Sequence, residues 1–264
     1  MSIRLASKVV AITGASAGIG AACAVRCVAE GAAVALLARR ADRLDALVAT
    51  LTANGGRAVA IVGDVTCEDD VRRLVTTAVR EFGKLDVMIA NAGIGFHGGL
   101  DETPTDVMRR LLDVNVMGTF YAARAAREVF QRQGHGHLIA ISSIVGRRGI
   151  GGSSAYSATK AAQIGLVESL RAEWLGSGLR ASLVYPVATT TEFHASIDRD
   201  YGIKVSGRGP RQSAEEVAAA IADCIVKPRA EVYPLRKAWW LAVANVIAPA
   251  RTDKIVQRFA RRQT

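Results

Sequence analysis

Two side chains four residues apart, Tyr156 and Lys160, carry the most specific chemistry in the sequence. If both are helical they share one face and their heads can meet. A free tyrosine titrates near ~10, and an ammonium beside the phenol favours the phenolate. That brings the value toward working pH and makes the tyrosine a usable general acid or base. Ser143 stands thirteen residues before Tyr156, just past an apolar run at 136–141 that reads as a buried strand. From a strand end its hydroxyl could hold a substrate oxygen against the phenol. Taken alone, the Tyr-x-x-x-Lys spacing also fits a solvated pair on an exposed helix, so the surrounding elements decide what it means.

Those elements alternate. Residues 8–13 are rich in β-branched side chains and read as a first strand, followed at once by Gly14-x-x-x-Gly18-x-Gly20 and a helix at 21–30. A glycine-rich turn between strand and helix lets the backbone approach a pyrophosphate, which rests on the positive end of the helix. A second strand at 32–37 ends in Ala38, Arg39 and Arg40. In dinucleotide-binding folds an acid at this place accepts from the ribose 2′-hydroxyl, and an arginine pairs with a 2′-phosphate. Solvated charges at a helix start are the weaker alternative for the two arginines. Helices at 42–53 and 68–82 alternate with strands at 57–62 and 85–90, and Asn54-Gly55-Gly56 stops the first of these helices. A long helix is expected from Thr103, as cap, and Pro104, with Asp106 facing the dipole and Asn115 inside it. An amide among apolar neighbours there needs a partner. A helix at 161–175, a strand at 179–185 ending at Pro186, and a polar, irregular substrate lid at 193–211 follow. Ser213 and Glu216 form a capping box for a helix to 226, and 230–233 is a last strand. The alternation predicts an α/β fold: a doubly wound, Rossmann-like parallel sheet with helices on both faces.

Ser143, the step to Tyr156, and Lys160, together with Thr13-Gly14 through Gly18-Ile19-Gly20, resemble the short-chain dehydrogenase/reductase family, from about residue 8 to about 234. The resemblance implies an NADP(H)-dependent oxidoreductase interconverting a carbonyl and a secondary alcohol. Tyr156 would be its general acid/base, Ser143 would hold the carbonyl oxygen, and Lys160 would lower the tyrosine pKa and bind the ribose. Asn115 would be a fourth catalytic member, interrupting helix hydrogen bonding and holding a water that links the lysine to solvent. Cofactor contacts carry over to Gly14, Ser16, Gly18, Ile19 and Gly20, to Arg39 and Arg40 at the ribose, and to Tyr156 and Lys160 themselves. Asp64 and Val65 fall at the adenine, and Asn91, Ala92 and Gly93 form the turn after the fourth strand. Pro186, Thr189 and Thr191 fall at the nicotinamide end, with Val187 where the family usually has glycine. Ala38 stands where the family's NAD users carry an acid, which favours NADP(H). A homodimer or homotetramer through the helices near Thr103 and Ser153 is implied too. His97, His135, His137 and His194 match no role in the pattern, and the substrate is not legible.

The chain has 264 residues and a net charge of +10, and half its residues are hydrophobic, as in a soluble globular protein. Residues 1–8 lack the apolar core of a secretory leader, so a cytoplasmic protein is expected. The four cysteines have no zinc-site spacing, so no metal is assigned, and they read as small buried hydrophobes. From Lys204 onward twelve basic residues face five acids, which places +7 of the excess charge in the last quarter. The division expected is a catalytic domain at 1–234 and a basic helical extension at 235–264. The extension, with Trp239 and Trp240 ahead of Pro249, fits helices packed on the body beside the substrate cleft. It also fits a peripheral membrane contact, or docking of an acidic acyl carrier or coenzyme A. The tail matches no nucleic-acid module, so nucleic-acid binding is set aside despite a pI near 9.9. A non-catalytic sensor on the same fold is the alternative class.

Overall fold

The structure, a computed structural model, describes residues 3–203 and 211–257. Its centre is a seven-stranded sheet in the order β3-β2-β1-β4-β5-β6-β9, parallel throughout. The strands are β1 (Val9–Thr13), β2 (Ala33–Ala38), β3 (Arg57–Val62), β4 (Val87–Ala90), β5 (Gly136–Ile141), β6 (Leu179–Val184) and β9 (Glu231–Val232). Every residue of β1, β2, β4 and β5 is buried, as strands covered on both faces must be.

Helices α1 (Gly18–Ala29), α2 (Ala41–Ala53) and α9 (Ala214–Val226) cover one face through residues such as Cys23, Cys27, Leu44, Leu51, Val217 and Ile221. The other face is covered by α3 (Glu68–Phe82), α5 (Gly118–Gln133) and α7 (Ser154–Glu173), through Leu74, Val75, Phe130, Ile164 and Val167. The strand order reverses between β1 and β4, which opens a crevice at the carboxyl ends of the strands. The capping box at Ser213 and Glu216 is present, with bonds of 2.7 and 3.1 Å.

Several expectations are corrected. The long helix from Thr103 is three pieces: α4 (Thr105–Leu111), a π-helical turn at Leu112–Met117, and α5. Pro104 takes the cap position, and the Thr103 hydroxyl donates instead to Gly99 O at 2.7 Å. The helix carrying Tyr156 and Lys160 begins at Ser154, seven residues before the expected start, with Ser153 at the cap position. The stretch expected as an irregular lid starts with a helix, α8 (Glu192–Tyr201), capped by the Thr191 hydroxyl, which accepts from Phe193 N at 3.2 Å. It ends in β8 (Arg211–Ser213), which pairs with β7 (Ala188–Thr190) in a separate two-stranded sheet. The rest of that lid, 204–210, lies outside the described residues, as do the tail's Arg258, Arg261 and Arg262. Cys23, Cys27 and Cys224 are buried as expected, and burial pushes the Cys27 thiol up to about 12, but Cys67 is exposed at the start of α3.

A short helix α6 (Ile144–Arg147) follows β5, and the carboxy-terminal segment folds as α10 (Ala238–Ile247) and α11 (Pro249–Gln257). These lie on the body: Ala238, Thr252 and Val256 are buried, Asn245 Nδ2 donates to Arg147 O at 3.4 Å, and Arg148 pairs with Asp253. Among the described residues no helix is long and apolar enough to cross a membrane.

Candidate active site

One cavity of about 800 Å³ runs along the crevice from the ends of β1 and β2 to the ends of β5 and β6. At its first end the glycine turn leads from β1 into α1. Gly14 sits at φ +67°, where a side chain is strained, and a Cβ on Gly20 would lie 2.3 Å from Gly14 O. The Asn91 amide locks the turn to the sheet by donating to Thr13 O at 2.9 Å and Gly14 O at 3.1 Å. The Thr13 hydroxyl accepts from the N–H groups of Asn91 and Ala92 at 3.0 and 3.1 Å. Ala17, the residue before α1, provides no side-chain cap, and no acid occupies the first turn. The opening N–H groups and their positive dipole end are therefore left for an anion. This cradle, closed to any Cβ and uncapped, fits the pyrophosphate of a dinucleotide.

At the end of β2, Arg40 donates to the Ser16 hydroxyl at 3.1 and 3.3 Å and pairs with Glu192 of α8 at 3.1 Å. Arg43 meets the same carboxylate at 2.6 Å. Arg39 is more exposed and lies 3.7 Å from Asp64, whose carboxylate accepts from Thr66 N at 3.0 Å.

At the other end, Ser143 caps α6: its hydroxyl accepts from Val145 N at 3.3 Å and donates to Pro186 O at 3.4 Å. Tyr156 projects from the first turn of α7, and Phe193 of α8 lies against it, ring centroids 5.6 Å apart. Lys160, one turn on, is 4 % exposed; its Nζ donates to Ile141 O at 2.9 Å and sits 5.7 Å from the Tyr156 ring centroid. Asn115 is fully buried in the π-helical turn. Its amide pairs reciprocally with the Ile94 main chain at 2.9 and 3.0 Å and donates to Thr159 Oγ1 at 2.9 Å. Its main-chain oxygen accepts from Gln163 Nε2 and Thr119 Oγ1, both at 2.8 Å.

The electrostatics correct one expectation. Burial pushes the Tyr156 phenol above its usual range, opposed only in part by the Ser143 hydroxyl, and lowers Lys160 to about 7. Desolvation disfavours both charged forms and is the leading cause of both shifts, while the Lys160 ammonium is engaged by the Ile141 carbonyl at 2.9 Å. A stability consequence follows for the cofactor-free protein. Between about pH 7 and the usual lysine value near ~10.4, the unfolded chain keeps a proton that folded Lys160 has given up. Stability should therefore rise with pH across that window, and the penalty is fully present below it. Lys160→Met should stabilise the cofactor-free protein at pH 7 by up to about 5 kcal/mol, less the lost bond to Ile141, at about 1.36 kcal/mol per tenfold change. Melting curves of both proteins should converge toward pH 10, since the neutral amine carries no penalty. A variant less stable than wild type at every pH would contradict this.

Of the expected site residues, Gly14, Ser16, Gly18, Ile19, Arg39, Arg40, Asp64, Val65, Asn91, Ala92 and Gly93 line the first part of the cavity. Ser143, Tyr156, Lys160, Pro186, Thr189 and Thr191 line the rest. Gly20 and Asn115 do not reach the cavity surface; they pack behind it. Sequence reasoning missed His97, whose Nδ1 is 2.8 Å from Ser153 Oγ, and the apolar wall of Ile150, Phe193, Leu241 and Val256. It also missed Ser142, which ties β5 to α7 by donating to Lys160 O at 2.8 Å. No spacing in the sequence marks these positions.

Known proteins share this family and fold. Residues 8–202 match the sequence profile of the short chain dehydrogenase family. A cis-4-hydroxycyclohexanecarboxylate dehydrogenase of Sinomonas cyclohexanicum is 35% identical over 226 residues, which cover 84% of this chain and 90% of the relative. A short-chain dehydrogenase from Burkholderia cenocepacia, solved in complex with NADP, superposes with a TM-score of 0.75 at 33% identity, covering 86% of this chain and 96% of that one. A short-chain dehydrogenase/reductase from Burkholderia phymatum, solved with NAD, shares the fold over 99% of both chains, with a TM-score of 0.84 at 24% identity. The chain belongs to the short-chain dehydrogenase family of oxidoreductases.

Proposed function

We propose that this oxidoreductase interconverts a carbonyl and a secondary alcohol using NADP(H). The observation that carries the reading is the convergence of Ser143, Tyr156 and Lys160 on one end of a cavity whose other end holds the glycine turn and two arginines. When bound, the nicotinamide supplies or accepts the hydride. The chain's own residues do the rest. The Ser143 hydroxyl, already oriented by Val145 N and Pro186 O, is turned to hold the substrate oxygen. Tyr156 gives its proton to that oxygen in the reducing direction, and burial, which disfavours the phenolate, keeps the proton on it until a partner arrives. Protonated Lys160 makes the loss of that proton easier, since opposite charges on the two side chains favour one another. Asn115, through its bonds to Ile94 and Thr159, fixes the start of the cavity wall and the turn of α7 behind Tyr156.

Cofactor choice rests on charge. Ala38 offers no acid to accept from a 2′-hydroxyl, and Arg39 and Arg40 both line the cavity. The Burkholderia cenocepacia relative with NADP supports the same choice. The wall beyond Tyr156 is largely apolar, which suits a carbonyl compound with an apolar body, and the alcohol substrate named for the Sinomonas relative is of that general type. The protein is proposed to work as a homodimer or homotetramer through the α4–α5 and α7 faces.

The test pairs fluorescence titration of NADPH and NADH with turnover on a panel of ketones, quinones and 3-oxoacyl thioesters. The expected result is tighter NADPH binding and nicotinamide oxidation with at least one class. Equal affinity for the two cofactors would end the NADP claim, and no turnover across the panel would end the carbonyl claim.

A further inference from the structure

Helix α10 has two different faces. One is committed to the body: Ala238 is buried, Leu241 lines the cavity, and Asn245 bonds to Arg147 O. The opposite face carries Trp239, Trp240, Val243, Val246 and Ile247, which follow the i, i+4, i+7 rhythm of one helical stripe. Apart from half-buried Val243 it is exposed: Trp240 is 65 %, Val246 82 % and Ile247 76 % accessible. Trp239 and Trp240 stack edge to face with centroids 4.7 Å apart, so the two rings form one broad apolar ledge. A stripe of this size on a soluble surface marks an interaction site.

The charges around the ledge say which partner fits. Arg236 and Lys237 stand exposed at its start, and Arg251 and Lys254 on α11 stand exposed beyond its end. The one acid in this described segment, Asp253, is already paired with Arg148. Paired tryptophans beside an aliphatic stripe with a basic rim match the interface of an anionic bilayer. A second copy fits poorly, because a two-fold contact sets the same patch against itself and brings the cations together. A soluble acidic carrier would use the cations and leave the apolar stripe unexplained.

We propose that α10 seats this protein on anionic lipid, with Trp239 and Trp240 in the interface and Arg236 and Arg251 against the headgroups. Because the other face of the same helix lines the cavity, the seated protein holds its substrate cleft beside the bilayer. Each cation close to an anionic surface adds about fivefold to binding.

The test uses the full chain with vesicles of phosphatidylcholine and phosphatidylglycerol in equal parts, and vesicles of phosphatidylcholine alone. Some vesicles carry brominated acyl chains, which quench tryptophans that enter the bilayer. Trp174, the other tryptophan, is 3 % exposed in the core, so quenching reports the ledge. The expected result is sedimentation with the anionic vesicles, at least tenfold weaker on neutral ones, reversed by high salt and accompanied by quenching. Trp239→Ser with Trp240→Ser should abolish it, and Arg236→Glu with Arg251→Glu should weaken it by about tenfold or more. Circular dichroism and melting curves establish that the variants fold. No sedimentation at low salt, or sedimentation without quenching, overturns the proposal. So does a wild-type oligomer that the tryptophan variant dissociates, which would assign the ledge to a second copy. Tight binding of a purified acidic acyl carrier in place of vesicles would overturn it as well. None of these readouts needs turnover, so they stand apart from the reaction proposed above.

Discussion

Tyr156→Phe should lower turnover by roughly the 10²–10⁴ of a lost general acid while leaving NADPH affinity nearly unchanged. The substitution keeps the ring that packs against Phe193 and deletes only the hydroxyl. The glycine turn, the uncapped start of α1 and the two arginines lie at the far end of the cavity and are untouched. Steady-state rates beside a cofactor titration separate the two effects. A Phe variant that reduces substrate at close to the wild-type rate would remove Tyr156 from the chemistry, and one that also loses cofactor binding would point to a structural role.

The second large effect concerns the end of β2. Arg39→Asp with Arg40→Ala should cost NADPH about 1.5–3 kcal/mol, on the order of tenfold to a hundredfold in affinity, and should shift preference toward NADH. The two arginines are not equivalent. Arg40 is held by the Ser16 hydroxyl and Glu192, so its loss also frees α8 from the glycine turn. Arg39 meets Asp64 only at 3.7 Å on an exposed surface and is the freer of the two to turn toward a phosphate. The single variants should therefore divide: Arg39→Asp carries most of the NADPH effect, and Arg40→Ala weakens both cofactors. Kd values for NADPH and NADH with each variant check this, and an unchanged ratio in the double variant would contradict it.

Much of this site is legible in the sequence because its parts are local. The glycine turn announces itself by spacing between a β-branched run and a helix, and β5 occupies 136–141 as its apolar run predicts. Ser143, Tyr156 and Lys160 are close enough in the chain for one strand end and one helix to bring them together. What was not legible depends on contacts far apart in sequence. The interruption of the helix at Asn115 follows from the family resemblance, but its partners do not: Ile94 lies 21 residues away and Gln163 48 residues on. Helix α8 sits in a stretch whose polarity resembles a loop, and it is stabilised by Thr191 at its start and by ion pairs from Glu192 to α2 and the residue before it. The burial that pushes the Tyr156 phenol up was not legible for a similar reason. Spacing shows that an ammonium is near, whereas the depth of burial that overrides it is set by the whole cavity wall.

The central claim is that hydride passes between a nicotinamide and a carbonyl carbon while Tyr156 handles the proton. The most direct measurement supplies NADPH bearing deuterium at the transferable position, together with the best substrate from the carbonyl panel, and reads the product by mass spectrometry and NMR. The account predicts one deuterium on the carbinol carbon of the alcohol formed by the wild type. NADPH oxidised with no deuterium in the product, or deuterium delivered to any other carbon, would contradict it.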